Sequence, residues 1–198
     1  MVQTTRSIRA LLVGDEEKKT TVTGNTLLEI DGNLEIATAT TETVLTKPLR
    51  NGEYDCIVLC EGASLSLFTK SMKRMMGMPF IVYSADTTSE SLLQVFRMGV
   101  TAYIVDDGGA HGLEELVGKI RSSVEAWRDS IRDAVALRIL NAVNKAETPK
   151  ASVEAVLKIL KGYTDAQALA IRLRSKGDYP YYATIGFPRT MSPSSPAC

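Results

Sequence analysis

The side chains able to do covalent or metal chemistry are few in this 198-residue chain. Its three cysteines are Cys56, Cys60 and Cys198, and its one histidine is His111. Cys56 and Cys60 fall in one apolar run. An extended chain rises about 3.3 Å per residue, which carries their Cα atoms too far apart for a disulfide. No paired CxxC set of the kind that holds zinc is present. His111 follows Gly108-Gly109 and reads as a solvent-exposed residue rather than a phosphate carrier or metal ligand. Oxygen-bearing side chains stand where apolar runs end. Asp15 follows Ala10 to Val13, Ser84 follows Phe80 to Tyr83, and Asp106-Asp107 follow Ala102 to Val105.

The elements that must position these groups alternate in type. Strand-like runs lie at Ala10 to Val13, Leu34 to Ala39, Asp55 to Cys60, Phe80 to Tyr83 and Ala102 to Val105. Runs that are apolar on both faces suit a parallel sheet covered on each side. Between them the spacing predicts helices over Glu16 to Ile30, Thr41 to Arg50, Leu65 to Met76 and Ser89 to Met98. The first is weak, because Thr20, Thr21, Thr23 and Gly24 all lower helix propensity. Thr88 or Ser89 caps the fourth, and Gly99 ends it. Five βα repeats imply an α/β fold, a doubly wound five-stranded parallel sheet with right-handed crossovers. In such sheets the working site lies beyond the carboxyl ends of the strands.

A long helix starts at Leu113. Leu113, Val117, Ile120, Val124, Trp127, Ile131, Ala134 and Arg138 follow a four-three spacing. That is a heptad seam, and it predicts a homodimer through the 113–138 helix; a sheet helix that merely runs long is the plainer reading. Further on, Ala151 to Gly162 reads as an amphipathic helix, Ala166 to Arg174 and Tyr179 to Ile185 as strands, and residues 189–198 as a disordered tail. Two helices and a hairpin make a poor core of their own, so this part reads as an incomplete α+β segment.

Lysines and arginines number 23, as do aspartates and glutamates. Net neutrality gives no electrostatic reason to expect nucleic acid as a partner. No apolar run approaches the roughly 20 residues that span a bilayer, and Met1 to Arg9 lack the apolar stretch of a signal peptide. A reduced, cytoplasmic protein without membrane attachment is expected.

The first part resembles the receiver domain of response regulators, especially the archaeal type. The resemblance covers residues 6–128, and residues 129–188 join it through a continuous helix. It rests on Leu11-Leu12-Val13-Gly14-Asp15-Glu16, Gly52-Glu53-Tyr54-Asp55-Cys56-Ile57-Val58, Pro79-Phe80-Ile81-Val82-Tyr83-Ser84 and Gly99-Val100-Thr101-Ala102-Tyr103-Ile104. It implies the flavodoxin-like receiver fold and a set of roles. An aspartate ending strand three takes a phosphoryl group, two acids after strand one help hold Mg²⁺, and a lysine after strand five neutralises the phosphoryl. A hydroxyl after strand four and an aromatic on strand five act as the switch.

Carried over by position, much of that set fails. The phosphoacceptor position is Cys60 and the lysine position is Asp106. The first acid of the metal pair is Gly14, leaving Asp15 alone. Ser84 and Tyr103 match the switch positions. A thiol does not form an aspartyl phosphate, and Asp106 would repel a bound phosphoryl group. Glu61 is an alternative acceptor, although a one-residue shift on a strand turns it to the other face. Asp55 is a more distant one. Asp15, Glu61 and Asp106 would make an acidic Mg²⁺ site only if that pocket is functional; solvated carboxylates at the rim are the plainer reading, and no cofactor is expected.

The later part resembles the opening of a GAF sensor domain, on Ala170-Ile171-Arg172-Leu173-Arg174, Asp178-Tyr179-Pro180-Tyr181-Tyr182 and Gly186-Phe187-Pro188. Together these imply a non-enzymatic, non-phosphorylatable pseudo-receiver in two-component (phosphorelay) signal transduction. Its partner would be a sensor histidine kinase or another signalling protein. Small-molecule sensing through the GAF-like segment is the alternative.

Overall fold

The computed structural model describes residues 6–46, 53–60, 77–97, 99–164, 166–174, 177 and 180–187. The chain separates into two compact units, Met1–Arg128 and Asp129–Cys198. The expected helix at Leu65 to Met76, the later part of the one at Thr41 to Arg50, residue Glu61 and the tail 189–198 lie outside the described residues.

The first unit holds strands β1 (Ile8–Val13), β2 (Leu34–Ala39), β3 (Cys56–Leu59), β4 (Phe80–Ser84) and β5 (Ala102–Val105). They form one parallel sheet in the order β2-β1-β3-β4-β5. That order reverses between β1 and β3, which makes their carboxyl ends the switch point. Helices α1 (Glu17–Ile30), α2 (Thr41–Thr46) and α3 (Ser89–Arg97) flank the sheet, and α4 (Ala110–Lys145) begins after β5. Alternation along the strands splits the core in two. Leu12, Val58, Ile81, Tyr83 and Ile104 pack with Leu27 of α1 and Leu116, Ile120 and Val124 of α4. Leu11, Val13, Ile57, Leu59 and Val82 pack on the other face with Val44 of α2 and Val95 of α3.

Helix α1 forms in full despite its threonines. Each hydroxyl donates back to the carbonyl four residues earlier: Thr20 to Glu16 at 2.9 Å, Thr21 to Glu17 at 2.8 Å, Thr23 to Lys19 at 3.0 Å and Thr26 to Val22 at 3.1 Å. The hydroxyls are satisfied inside the helix, so packing overrides propensity. Gly24 contributes closeness to the sheet, because a Cβ there would lie 3.0 Å from Ile36 Cγ2.

The pairing seam is corrected by α4. Val117, Ile120 and Val124 are buried against the sheet, and Leu113 packs at the edge of the same cluster. The first half of the seam is therefore core of its own unit and is not available to a second copy. A sheet helix and a coiled-coil seam share the same spacing, which is why the pattern misleads. Apolar exposure on α4 comes later, at Leu137 (61%), Leu140 (58%) and Val143 (41%).

Two ion pairs tie α4 down within the first unit. Arg128 reaches Asp55 at 3.1 Å and donates to the Ser7 carbonyl at 3.0 Å. The Arg9 amide also donates to Asp55 at 2.9 Å. Asp55 is thus a buried structural acid at the start of β3, the opposite end of the strand from Cys60. This removes it as an acceptor in the pocket. Arg121 makes a short bond to Asp31.

The second unit holds α5 (Pro149–Thr164) and the antiparallel strands β6 (Leu169–Arg172) and β7 (Tyr181–Ile185). Thr148 caps α5, accepting from the Ala151 amide at 3.2 Å, and Pro149 sits in the first turn, where its missing N–H costs nothing. The helix therefore starts two residues before the expected Ala151. Leu157 and Ala183 form its buried centre.

Arg128→Ala should lower stability by roughly 2–3 kcal/mol, because it strips a partner from a buried carboxylate; urea unfolding measures this. Arg121 holds the Asp31 carboxyl below its ordinary value by hydrogen bonding. That contribution is fully present above the unfolded carboxyl value of about 3.9 and disappears as pH falls through the lower folded value. Asp31→Asn should therefore be less stable than wild type near neutrality and should shed part of the acid-induced loss.

Candidate functional site

At the end of β1 the backbone of Gly14 donates to Ala39 at 3.1 Å. A Cβ at this position would stand 2.3 Å from Thr20 Oγ1 and 3.4 Å from Cys60 Cβ, so Thr20 would have to shift to admit a side chain. Thr20 is itself buried and bonded to its own helix. Asp15 is exposed and accepts a 2.6 Å hydrogen bond from Thr41 Oγ1.

Cys60 follows β3, its amide bonded to the Val13 carbonyl at 2.8 Å. Burial pushes its thiol up to about 12, Asp106 adds to the rise, and Lys19 opposes it. Cys56, deep in the strand, is raised to about 12 mainly by burial. Neither thiol has the depressed pKa of a reactive cysteine.

Asp106 follows β5. Its Oδ1 accepts from Tyr83 Oη at 2.8 Å and from the Gly108 amide at 3.0 Å. Burial and the bond to Asp106 hold the Tyr83 phenol well above its ordinary range, so it remains a neutral donor. Asp106 is thus a carboxylate satisfied by a phenol.

Tyr103 packs on the other face of the sheet, beside Ser84. Ser84 Oγ accepts from the Asp86 amide at 3.1 Å. Tyr103 donates to the Ser84 carbonyl at 3.4 Å and makes a short bond to the Asp86 carbonyl. The Asp86 carboxylate accepts from the Thr88 amide at 2.9 Å and Ser91 Oγ at 2.5 Å, and these bonds lower its pKa. The loop before α3 is thereby fixed, with Tyr103 clasped by its carbonyls.

An open cleft of about 760 Å³ lies beside this site, with Lys18, Lys19, Tyr83, Asp106, Gly108 and Leu113 among its walls. His111 is exposed on the first turn of α4. Among the described residues no three His, Cys, Asp or Glu side chains gather as a metal site. Gly14 offers no carboxylate, and one oxygen of Asp15 accepts from Thr41 while one oxygen of Asp106 accepts from Tyr83. Glu61, the third member of the expected acidic set, is outside the described residues.

Thr20 and Tyr83 were not singled out by sequence reasoning. Tyr83 is the one polar tip in Phe80-Ile81-Val82-Tyr83, and its adjacency to Ser84 turns it to the opposite face, toward α1 and α4. Thr20 carries no such mark.

Solved structures share this fold. The receiver domain of the Francisella response regulator 1452 is 18% identical, with a TM-score of 0.50 over 61% of this chain and 98% of that one. A CheY-like response regulator receiver domain protein from Methanospirillum hungatei JF-1 is 22% identical, with a TM-score of 0.51 over 63% of this chain and 98% of that one. No protein-family model and no curated protein matches the sequence. The five-stranded parallel sheet is that of the CheY-like, flavodoxin-like receiver fold, here with a helical extension.

At pH 8 in a Cys198→Ser background, iodoacetamide should alkylate Cys60 about a hundredfold more slowly than free cysteine. Asp106→Asn should speed the reaction, since it removes a charge that raises the thiol pKa. Peptide mass mapping over time reads both rates.

Proposed function

We propose that this chain is a receiver-like module of two-component signalling that accepts no phosphoryl group, catalyses nothing and acts by binding a partner protein. The observation that carries this reading is the pairing of Cys60 with a Tyr83-bonded Asp106 at the positions of the acceptor and its ammonium. A phosphoryl dianion there would meet a protonated thiol and a negative charge. Mg²⁺ has no part in this reading.

The partner, a sensor kinase or another signalling protein, docks on the side carrying α3 and β5. Leu93 (57% exposed), Phe96 (68%) and Val105 (45%) present apolar surface there. Leu93 and Phe96 stand three residues apart on α3, hence on one face. Ser84 and Tyr103 sit at the base of the same loop and link the top of the sheet to that surface. Pairing of two copies through α4 belongs to the proposal only for residues after Val124, where Leu137 and Leu140 are exposed. Among the described residues no helix is long and apolar enough to cross a membrane, and a cytoplasmic location accords with the partner class. For residues 129–188 a GAF-like sensing role is the second reading, favoured by the helix and hairpin found in that segment.

Incubation with acetyl phosphate and Mg²⁺ should leave the intact mass unchanged; an adduct mapping to Glu61 would overturn the reading. Restoring Gly14→Asp, Cys60→Asp and Asp106→Lys together should yield little adduct. Adding Thr20→Ala should raise the yield about tenfold, because an overpacked side chain is then relieved. Phe96→Asp should abolish partner binding without altering the melting temperature.

A further inference from the structure

The chain is neutral overall, but its units are not. The second unit holds ten lysines and arginines against six aspartates and glutamates, a net charge of +4. It also presents a strand edge. Among the described residues β7 pairs only with β6. Exposed edges are normally blunted by charge, proline or a bulge. The register slips where Arg172 pairs with Tyr181 and Tyr182 is the extra residue on β7; this bulge, with the Arg172 guanidinium 5.0 Å over the Tyr181 ring, blunts the start of β7. The rest of β7, Ala183-Thr184-Ile185, pairs regularly with β6 and carries no charge and no proline.

Helix α5 packs mainly against β7 and less against β6. Between α5 and β7 runs a groove of about 370 Å³, walled by Ala151, Glu154, Ala155 and Lys158 of the helix and Thr184 and Ile185 of the strand. No β6 residue lines it, and its strand wall belongs to β7, which among the described residues pairs only with β6. Small residues at 151 and 155 leave room beside the strand. The groove is polar at its ends and unequal in sign. Glu154 stands toward one end, Lys158 one turn further on, and Lys161 beyond it, with its Nζ close to Gly186.

We infer that this edge and groove take an extended acidic segment of a partner protein, which adds to β7 as a third strand. Backbone hydrogen bonds to β7 hold such a segment, and side chains entering the groove select it. Acidic side chains go to the Lys158 and Lys161 end, away from Glu154. The net positive charge of the unit draws an acidic segment and repels a basic one. The inference does not depend on the receiver reading, since it involves only the second unit.

The test uses the full chain and two fluorescein-labelled nine-residue probes of alternating valine and threonine. One probe has two glutamates at one end and the other has two lysines there. Anisotropy should show the glutamate probe binding at least about tenfold more tightly than the lysine probe. The double variant Lys158→Glu, Lys161→Glu, altered on the helix surface and checked for folding by circular dichroism, should reverse that order. Hydrogen exchange should show β7 amides slowed by the glutamate probe. Equal affinities, no binding by either probe at 1 mM, an order unchanged in the double variant, or β7 amides already fully protected in the free chain would each overturn the inference.

Discussion

The bond from the Tyr83 hydroxyl to the Asp106 carboxylate is the interaction around which the top of the sheet is organised. It joins the ends of β4 and β5 and anchors the turn into α4 through the Gly108 amide. It also fixes a negative charge beside Cys60, and that charge, together with burial, keeps the thiol protonated. A buried phenol and a carboxylate are each costly without a partner; bonded to each other they are stable. The local chemistry follows from this pair: the sulfur stays protonated, while on the opposite face Ser84 and Tyr103 join the hydrogen bonds of the loop.

At the other end of the strands a different charge pattern holds the last residue of the first unit. Arg128 is the last residue of that unit, and it reaches back to Asp55 and the Ser7 carbonyl. The same helix continues to Lys145. One continuous element is thus core on its first half and carries exposed apolar side chains on its second. The ion pair marks the change from one environment to the other.

The sheet was legible because each strand is a short apolar run bounded by glycine, proline or polar residues, and such runs need both faces covered. The residues ending β1, β4 and β5 were legible for the same reason. Helix α1 was undervalued. Its threonines satisfy their hydroxyls within the helix, and Gly24 acts through Ile36, twelve residues away on β2. The seam through Leu113 to Val124 was misread, since spacing alone does not say whether the facing surface is a sheet or a second helix. Tyr83 was marked only by its polar tip, and the part played by Thr20 by nothing, because what matters in each is a contact made with another element. Asp55 reads in the sequence as a distant alternative acceptor because its partner Arg128 lies 73 positions later.

The contact between Gly14 and Thr20 makes the two positions interdependent. A side chain placed at position 14 would meet the buried Thr20 hydroxyl, so Thr20 must give way before position 14 carries anything larger than glycine. What either position tolerates is therefore set by the other, and substitutions at the two are expected to be non-additive.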